Sequence, residues 1–463
     1  LERVQASLHV LDETDLVKPE LALEQTWGFK HGVTQEVVYE SIPFGFRAML
    51  HARAGAYVET AEADDIERHL DLLAYHYGHS DDLPKKREYL RRAGDAAEGA
   101  YANAAAIDYY ERLAPLLTDG DRVDVLLKLA KVLELVGSWH RAEEVSGEAL
   151  LISQRLRDER ACGACETALA EVARKQGRYD EAYERLDRAR ASFQGVEDEA
   201  GVGRVLHLVG TVAAQRGDYQ KAVENYEASL AIRERRGDAA SMAGLLSNLG
   251  IVAEYRGDYK AARAFHEKAL ALRKSLGDRR NISVSLNNLG MIATLEKRFA
   301  EARERFAEGM HLFAEVGDTW AVAIGHNNLG NALRGLGDFD GARSHYASSL
   351  RAYRDYDDRW ALAFLLEDIG LLAALSADPR RALEFIGVAD HCRTLIGAPR
   401  PPSLESDIEA QLVASAANMP PDGRDACRAR GRSCDLSTAV ARALDYCEGN
   451  ALDELQAMPA ESV

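Results

Sequence analysis

Apolar residues over most of this chain recur at three- and four-residue steps, as on the buried stripe of a helix. In SMAGLLSNLGIVAEYR the positions Leu245, Leu246, Leu249, Ile251 and Val252 fit that period, and strict alternation does not. In KAARAFHEKALALRKSL so do Ala262, Phe265, Ala269, Leu270 and Leu272. Gly257-Asp258-Tyr259 separates the two stretches and Gly277-Asp278 follows the second. Gly257 and Gly277 stand where a helix C-terminus needs a left-handed residue, a conformation glycine adopts without a Cβ clash. The pattern predicts helix A, a short turn, helix B and a loop.

This unit recurs. Gly137-Ser138-Trp139, Gly177-Arg178-Tyr179, Gly217-Asp218-Tyr219 and Gly257-Asp258-Tyr259 follow one another at intervals of 40 residues. Gly337-Asp338-Phe339 keeps the register, and Lys297-Arg298-Phe299 and Ala377-Asp378-Pro379 fill the remaining slots with degenerate versions. Alanine stands at 142, 182, 222, 262, 302, 342 and 382, and glycine at 210, 250, 290, 330 and 370, preceded by Leu249, Leu289 and Leu329 in three cases. Small residues at fixed helical positions let two backbones approach closely, and larger ones would overpack the contact. A chain of 463 residues exceeds one ordinary core, but a stack in which each unit packs on its neighbours reaches this length.

Leu249-Gly250, then Ala262 and Ala269, resemble the tetratricopeptide (TPR) pattern, as do the A-x3-aromatic steps Ala302 to Phe306, Ala222 to Tyr226 and Ala342 to Tyr346. The period is longer than the usual repeat of about 34, and the first-helix Trp and Tyr positions are not kept. HEAT or armadillo stacking is the structural alternative. The resemblance implies an all-α fold, a right-handed αα-superhelix, with seven repeats over 121–398 after a helical connector and first hairpins over 49–120. Upstream, Phe29, Lys30, His31, Thr34, Gln35, Glu36, Tyr39, Arg47, His51 and Tyr75 to Tyr77 resemble the segment that joins an AAA/STAND-type ATPase module to TPR repeats. It is most similar to bacterial proteins carrying a class III adenylate or guanylate cyclase domain, with LuxR-like regulators second. In that resemblance 1–48 is a winged-helix remnant. DLVKPE and TWGFKH form its hairpin, Thr34 caps the next helix, and Val37, Val38 and Ile42 form that helix's apolar side. The tail 399–463 resembles the C-termini of the same proteins and reads as a helical cap, with Pro399, Pro401 and Pro402 stopping the last repeat helix.

The net charge of −18 disfavours nucleic acid and acidic membranes as partners. No apolar run approaches the roughly 18 to 20 residues that span a bilayer, and LERVQASLHV resembles no signal peptide. The expectation is an internal piece of a longer cytoplasmic protein. Cys162 and Cys165 have CxxC spacing but no second pair, so packing outweighs zinc or redox work. His31, His51, His69, His76 and His79 are spread over several helices and read as packing or capping residues. The chain carries no phosphate-binding GxxxxGK[ST] loop, HExxH, nucleophile elbow or Rossmann glycine signature. Neither catalytic residues nor a metal or cofactor are assigned, and any cyclase chemistry of a parent lies outside this stretch.

Asn248, Asn288 and Asn328 form a ladder in the 40-residue register, with Asn287 and Asn327 beside two of them. Helix A lines the inner surface of TPR solenoids, so the resemblance places this ladder in the concave groove. Amides donate and accept, and a row of them can hold an extended peptide backbone. Tyr255, Met291 and Asn331 share the groove on this reading, and Arg334 is the best-placed cation for a carboxylate clamp. Equally, each Asn can bond the adjacent repeat and fix stacking. The partners expected are a protein or peptide in the groove and the parent's own ATPase or output domain. Self-association into a homo-oligomer is the alternative.

Overall fold

The structure, a computed structural model, describes residues 2–14, 16–19, 27–315, 317–355, 359–396, 400 and 402–449. The chain forms two compact units, Leu1–Val212 and Ala213–Val463. Each is a stack of antiparallel helix pairs, the all-α solenoid architecture that the repeat predicts.

The Gly-Asp dipeptides set the boundaries of the pairs. Gly237, Gly257, Gly277 and Gly337 take positive φ between 67° and 79° just past a helix end. The following aspartate caps the next helix. Asp238, Asp258, Asp278 and Asp338 each accept a hydrogen bond from the backbone N–H three residues on, satisfying a donor that the first helical turn leaves unpaired. Where the glycine is replaced, the backbone keeps its conformation: Lys297 and Ala377 sit at φ 59° and 60°.

Within the first unit, Asp119–Leu135 pairs with Trp139–Leu156 and Glu159–Lys175 with Tyr179–Gly195. Within the second, Ala239–Tyr255 pairs with Tyr259–Leu276, Arg279–Leu295 with Phe299–Glu315, Thr319–Leu336 with Phe339–Asp355, and Arg359–Leu375 with Pro379–Ile396. The alanines at 142, 182, 222, 262, 302, 342 and 382 are all fully buried. The A-helix glycines seat the B-helix ring: a Cβ on Gly290 would lie 2.5 Å from the Phe306 ring, and one on Gly330 2.4 Å from the Tyr346 ring. Glycine is thus required there by close approach, with no special backbone angle involved.

At the N-terminal end Val17–Pro19 pairs antiparallel with Trp27–Phe29, Val17 opposite Phe29, so the expected strands meet over these three residues each, and the residues that would join them lie outside the described ones. Thr34 is not the cap of the following helix. Gly32–Ser41 begins two residues earlier, with His31 at the N-cap in extended backbone and no side-chain capping bond. The strand ends so close to the helix that the chain turns at His31, leaving Thr34 inside the first turn. Val37 and Val38 on that helix are exposed. At the other end Pro402–Ser415, Pro421–Ser433 and Leu436–Glu448 follow the last repeat pair, with Pro421–Ser433 packed on Pro379–Ile396 and Leu436–Glu448 on Phe339–Asp355. Pro402 opens the first of these helices, whereas Pro399 and Pro401 lie outside the described residues, as does the tail beyond 449. Among the described residues no helix is long and apolar enough to cross a membrane.

Candidate functional site

The A helices of the second unit carry the amide ladder, and their surfaces divide it into two parts. Toward the C-terminal end the amides are held by the protein itself. Asn328, 8% exposed, donates from Nδ2 to Oδ1 of Asn287 at 2.7 Å, tying Thr319–Leu336 to Arg279–Leu295. The next rung, 40 residues on, is Asp368. Its carboxylate accepts from Asn327 Nδ2 at 3.2 Å, from Asn331 Nδ2 at 2.9 Å and from Arg334 Nη2 at 3.2 Å. Arg334 also donates to the Asp368 backbone carbonyl, and the Tyr346 hydroxyl donates to Asn331 Oδ1 at 2.7 Å. Burial pushes the Tyr346 phenol far up, so it remains a neutral donor. This network fixes the register of two repeats, and it engages the Nδ2 of Asn327 and the guanidinium of Arg334.

Asn248 and Asn288 are half-buried, and Asn288 makes none of the amide contacts formed by Asn287, Asn327 and Asn328. Around them the same helices present apolar groups to solvent: Ile251, Met291, Leu295 and Tyr255, the last 64% exposed. The Tyr255 ring stacks on Tyr219, with centroids 5.7 Å apart and planes 14° from parallel, which holds it upright at the surface. Neighbouring A helices thus offer half-buried amides beside exposed apolar side chains. That chemistry suits an extended chain, whose backbone needs donors and acceptors and whose side chains need apolar contact. Asp368, which sequence reasoning missed, was one further 40-residue step along the ladder.

Of the five N-terminal histidines, three come together. His51 Nδ1 lies 3.0 Å from His76 Nδ1, His51 Nε2 lies 2.9 Å from the Tyr39 hydroxyl, and the His79 ring is 5.1 Å from that of His51. Burial, then the neighbouring histidines, lowers the pKa of His51, and the same causes lower that of His76. Neutral rings of this kind pack a helix junction. His69 instead faces Glu62 at 3.5 Å, and His31 stands at the N-cap of Gly32–Ser41. Among the described residues no group of three or more His, Cys, Asp or Glu is arranged to hold a metal ion. Cys162 and Cys165 are buried in Glu159–Lys175, and burial pushes the Cys165 thiol up to about 12, far from a reactive thiolate.

Comparison with known proteins agrees with this architecture. One tetratricopeptide-repeat family model matches residues 159–235 and 241–314, and a second matches 327–355. The chain therefore carries tetratricopeptide repeats over these segments, and not HEAT or armadillo units. By sequence, no curated protein matches. Among solved structures, a signal transduction ATPase with numerous domains (STAND) and a tetratricopeptide repeat sensor, from Pyrococcus horikoshii, is similar at TM-score 0.55 and 14% identity. The match covers 88% of this chain and 60% of that one, so this chain spans less than two thirds of its length. BtubC from P. vanneervenii matches at TM-score 0.40 and 22% identity over 51% of this chain and 93% of that one. A Rap protein complexed with competence and sporulation factor matches at TM-score 0.43 and 15% identity, over 66% and 91%. At these identities the likeness extends to the fold alone.

Proposed function

We propose that this chain is a protein-interaction and regulatory scaffold that captures an extended peptide segment along the A helices of its second unit. Asn248, Asn288 and Tyr255 contact the segment in this account, while Asn287, Asn327, Asn328 and Arg334 hold the repeats in register beneath it. The observation that carries it is the row of exposed Ile251, Tyr255, Met291 and Leu295 beside half-buried amides. Isolated exposed apolar residues need no explanation, but a row along one face marks an interaction surface. A carboxylate clamp centred on Arg334 forms no part of the account, because Asp368 already fills that role from within.

The wider setting is a larger signalling protein in which the repeats bias an attached ATPase, with a cyclase or a LuxR-like regulator as its output. The residues between Phe29 and Tyr77, read as a winged-helix tail leading into repeats, support this, and the fold shared with a STAND protein fits it. An exposed apolar face on Gly32–Ser41 and Phe44–Ala61, including Val33 and Phe44, favours contact with another folded region there. The amide account is tested by replacing Asn248 and Asn288 together with Ala. Binding of a labelled peptide selected on the parent chain should weaken about tenfold or more, in line with the loss of two hydrogen bonds. A large fall in melting temperature with unchanged binding would assign both residues to repeat stacking.

A further inference from the structure

The 40-residue register places one charged residue of the A helix where it can be compared between repeats. Glu134, Arg174, Glu254 and Arg334 occupy the same helical position, which is Ala214, Thr294 or Ala374 elsewhere. Three of the four charges are neutralised within the fold. Glu134 pairs with Lys175 at 2.7 Å, Arg174 with Glu171 at 2.6 Å and Arg334 with Asp368 at 3.2 Å. Glu254 is the exception. It is half-buried, and among the described residues no ion pair or hydrogen bond reaches its carboxylate. Burial raises its pKa and no nearby cation offsets that. It also sits in the last turn of Ala239–Tyr255, the negative end of the helix dipole. The rung one repeat on that corresponds to Asp368, the partner of Arg334, is here Asn288, which brings no charge.

A partly desolvated carboxylate with no partner is unfavourable in the free protein, and a cation brought to it recovers that penalty on binding. We propose that Glu254 receives a lysine or arginine side chain of the captured peptide. The strip then selects segments in which one basic residue is flanked by aliphatic or aromatic ones. The flanking preference follows from Ile251 and Tyr255 on the same helix and Met291 and Leu295 on the next. The overall charge of −18 favours the approach of such a segment. This assignment rests on the peptide-capture account above and specifies the chemistry of its partner.

The test is selection from a random-peptide display library on the full chain and, in parallel, on Glu254→Gln, which keeps the shape and removes the charge. The parent chain should enrich peptides with Lys or Arg at one fixed position between apolar residues, and Glu254→Gln should show no such enrichment. A peptide selected on the parent should bind Glu254→Gln about tenfold to a hundredfold more weakly, the range for losing a charge-assisted hydrogen bond. Glu254→Gln should melt no lower than the parent, since an unpaired carboxylate is gone. Enriched peptides lacking a basic residue, or basic peptides that bind both chains equally, would overturn the assignment while leaving peptide capture intact. Failure to enrich any peptide on either chain would overturn both.

Discussion

His266 is fully buried, yet among the described residues neither ring nitrogen has a hydrogen-bond partner. It stands at the position that holds Tyr226, Phe306 and Tyr346 in other repeats, seated over Gly250, so the site asks for a flat ring and nothing in it asks for imidazole. Burial first, then Arg273, lowers its pKa to about 4. The folded state therefore binds fewer protons than the unfolded chain between about pH 4 and the ordinary value near 6.5. The stability that His266 supplies as a neutral ring is full above that value and is lost as pH falls through this window. His266→Phe should raise the unfolding midpoint in urea at pH 7. Its advantage over the parent should grow by about 2 kcal/mol on going to pH 5. An unchanged difference between the two pH values would show that His266 titrates normally. The ring position was legible from the A-x3-ring step after Ala262; the missing partners were not, because they depend on which side chains a neighbouring helix brings.

Each helix pair is specified by small residues that carry no chemistry. Gly290→Ala should destabilise by about 1–3 kcal/mol, since the new methyl would sit within the Phe306 ring's volume, and combining it with Phe306→Leu should recover part of the loss. Thermal melts of the two single variants and the double variant check this, and simple additivity would deny that glycine and ring share one contact. Helix pairing and the turn glycines were readable because the same steric demand recurs every 40 residues. The capping role of the aspartate was not legible in the same way, because it follows Gly217, Gly237, Gly257, Gly277, Gly317 and Gly337 but gives way to Ser138 and Arg178 in the earlier turns. Thr34 shows the converse: a good capping residue lies inside the helix when strand pairing of Trp27–Phe29 fixes where the chain turns.

For the molecule as a whole, the repeat register located the amide ladder but not the division of labour along it. Asn327 and Asn328 are bonded within the protein because the rungs facing them are Asp368 and Asn287, a matter of which surfaces stack. Glu254 could have been singled out by the same 40-residue comparison, but its lack of a partner required the packing. On the proposed function, a peptide is captured on the A-helix strip of the second unit. Hydrogen–deuterium exchange on the full chain, with and without saturating peptide selected on it, tests this directly. Slowed exchange should appear in Ala239–Tyr255 and Arg279–Leu295, with Tyr259–Leu276 and Phe299–Glu315 unchanged. Protection confined to those B helices, or to the exposed face of Gly32–Ser41 and Phe44–Ala61, would contradict it.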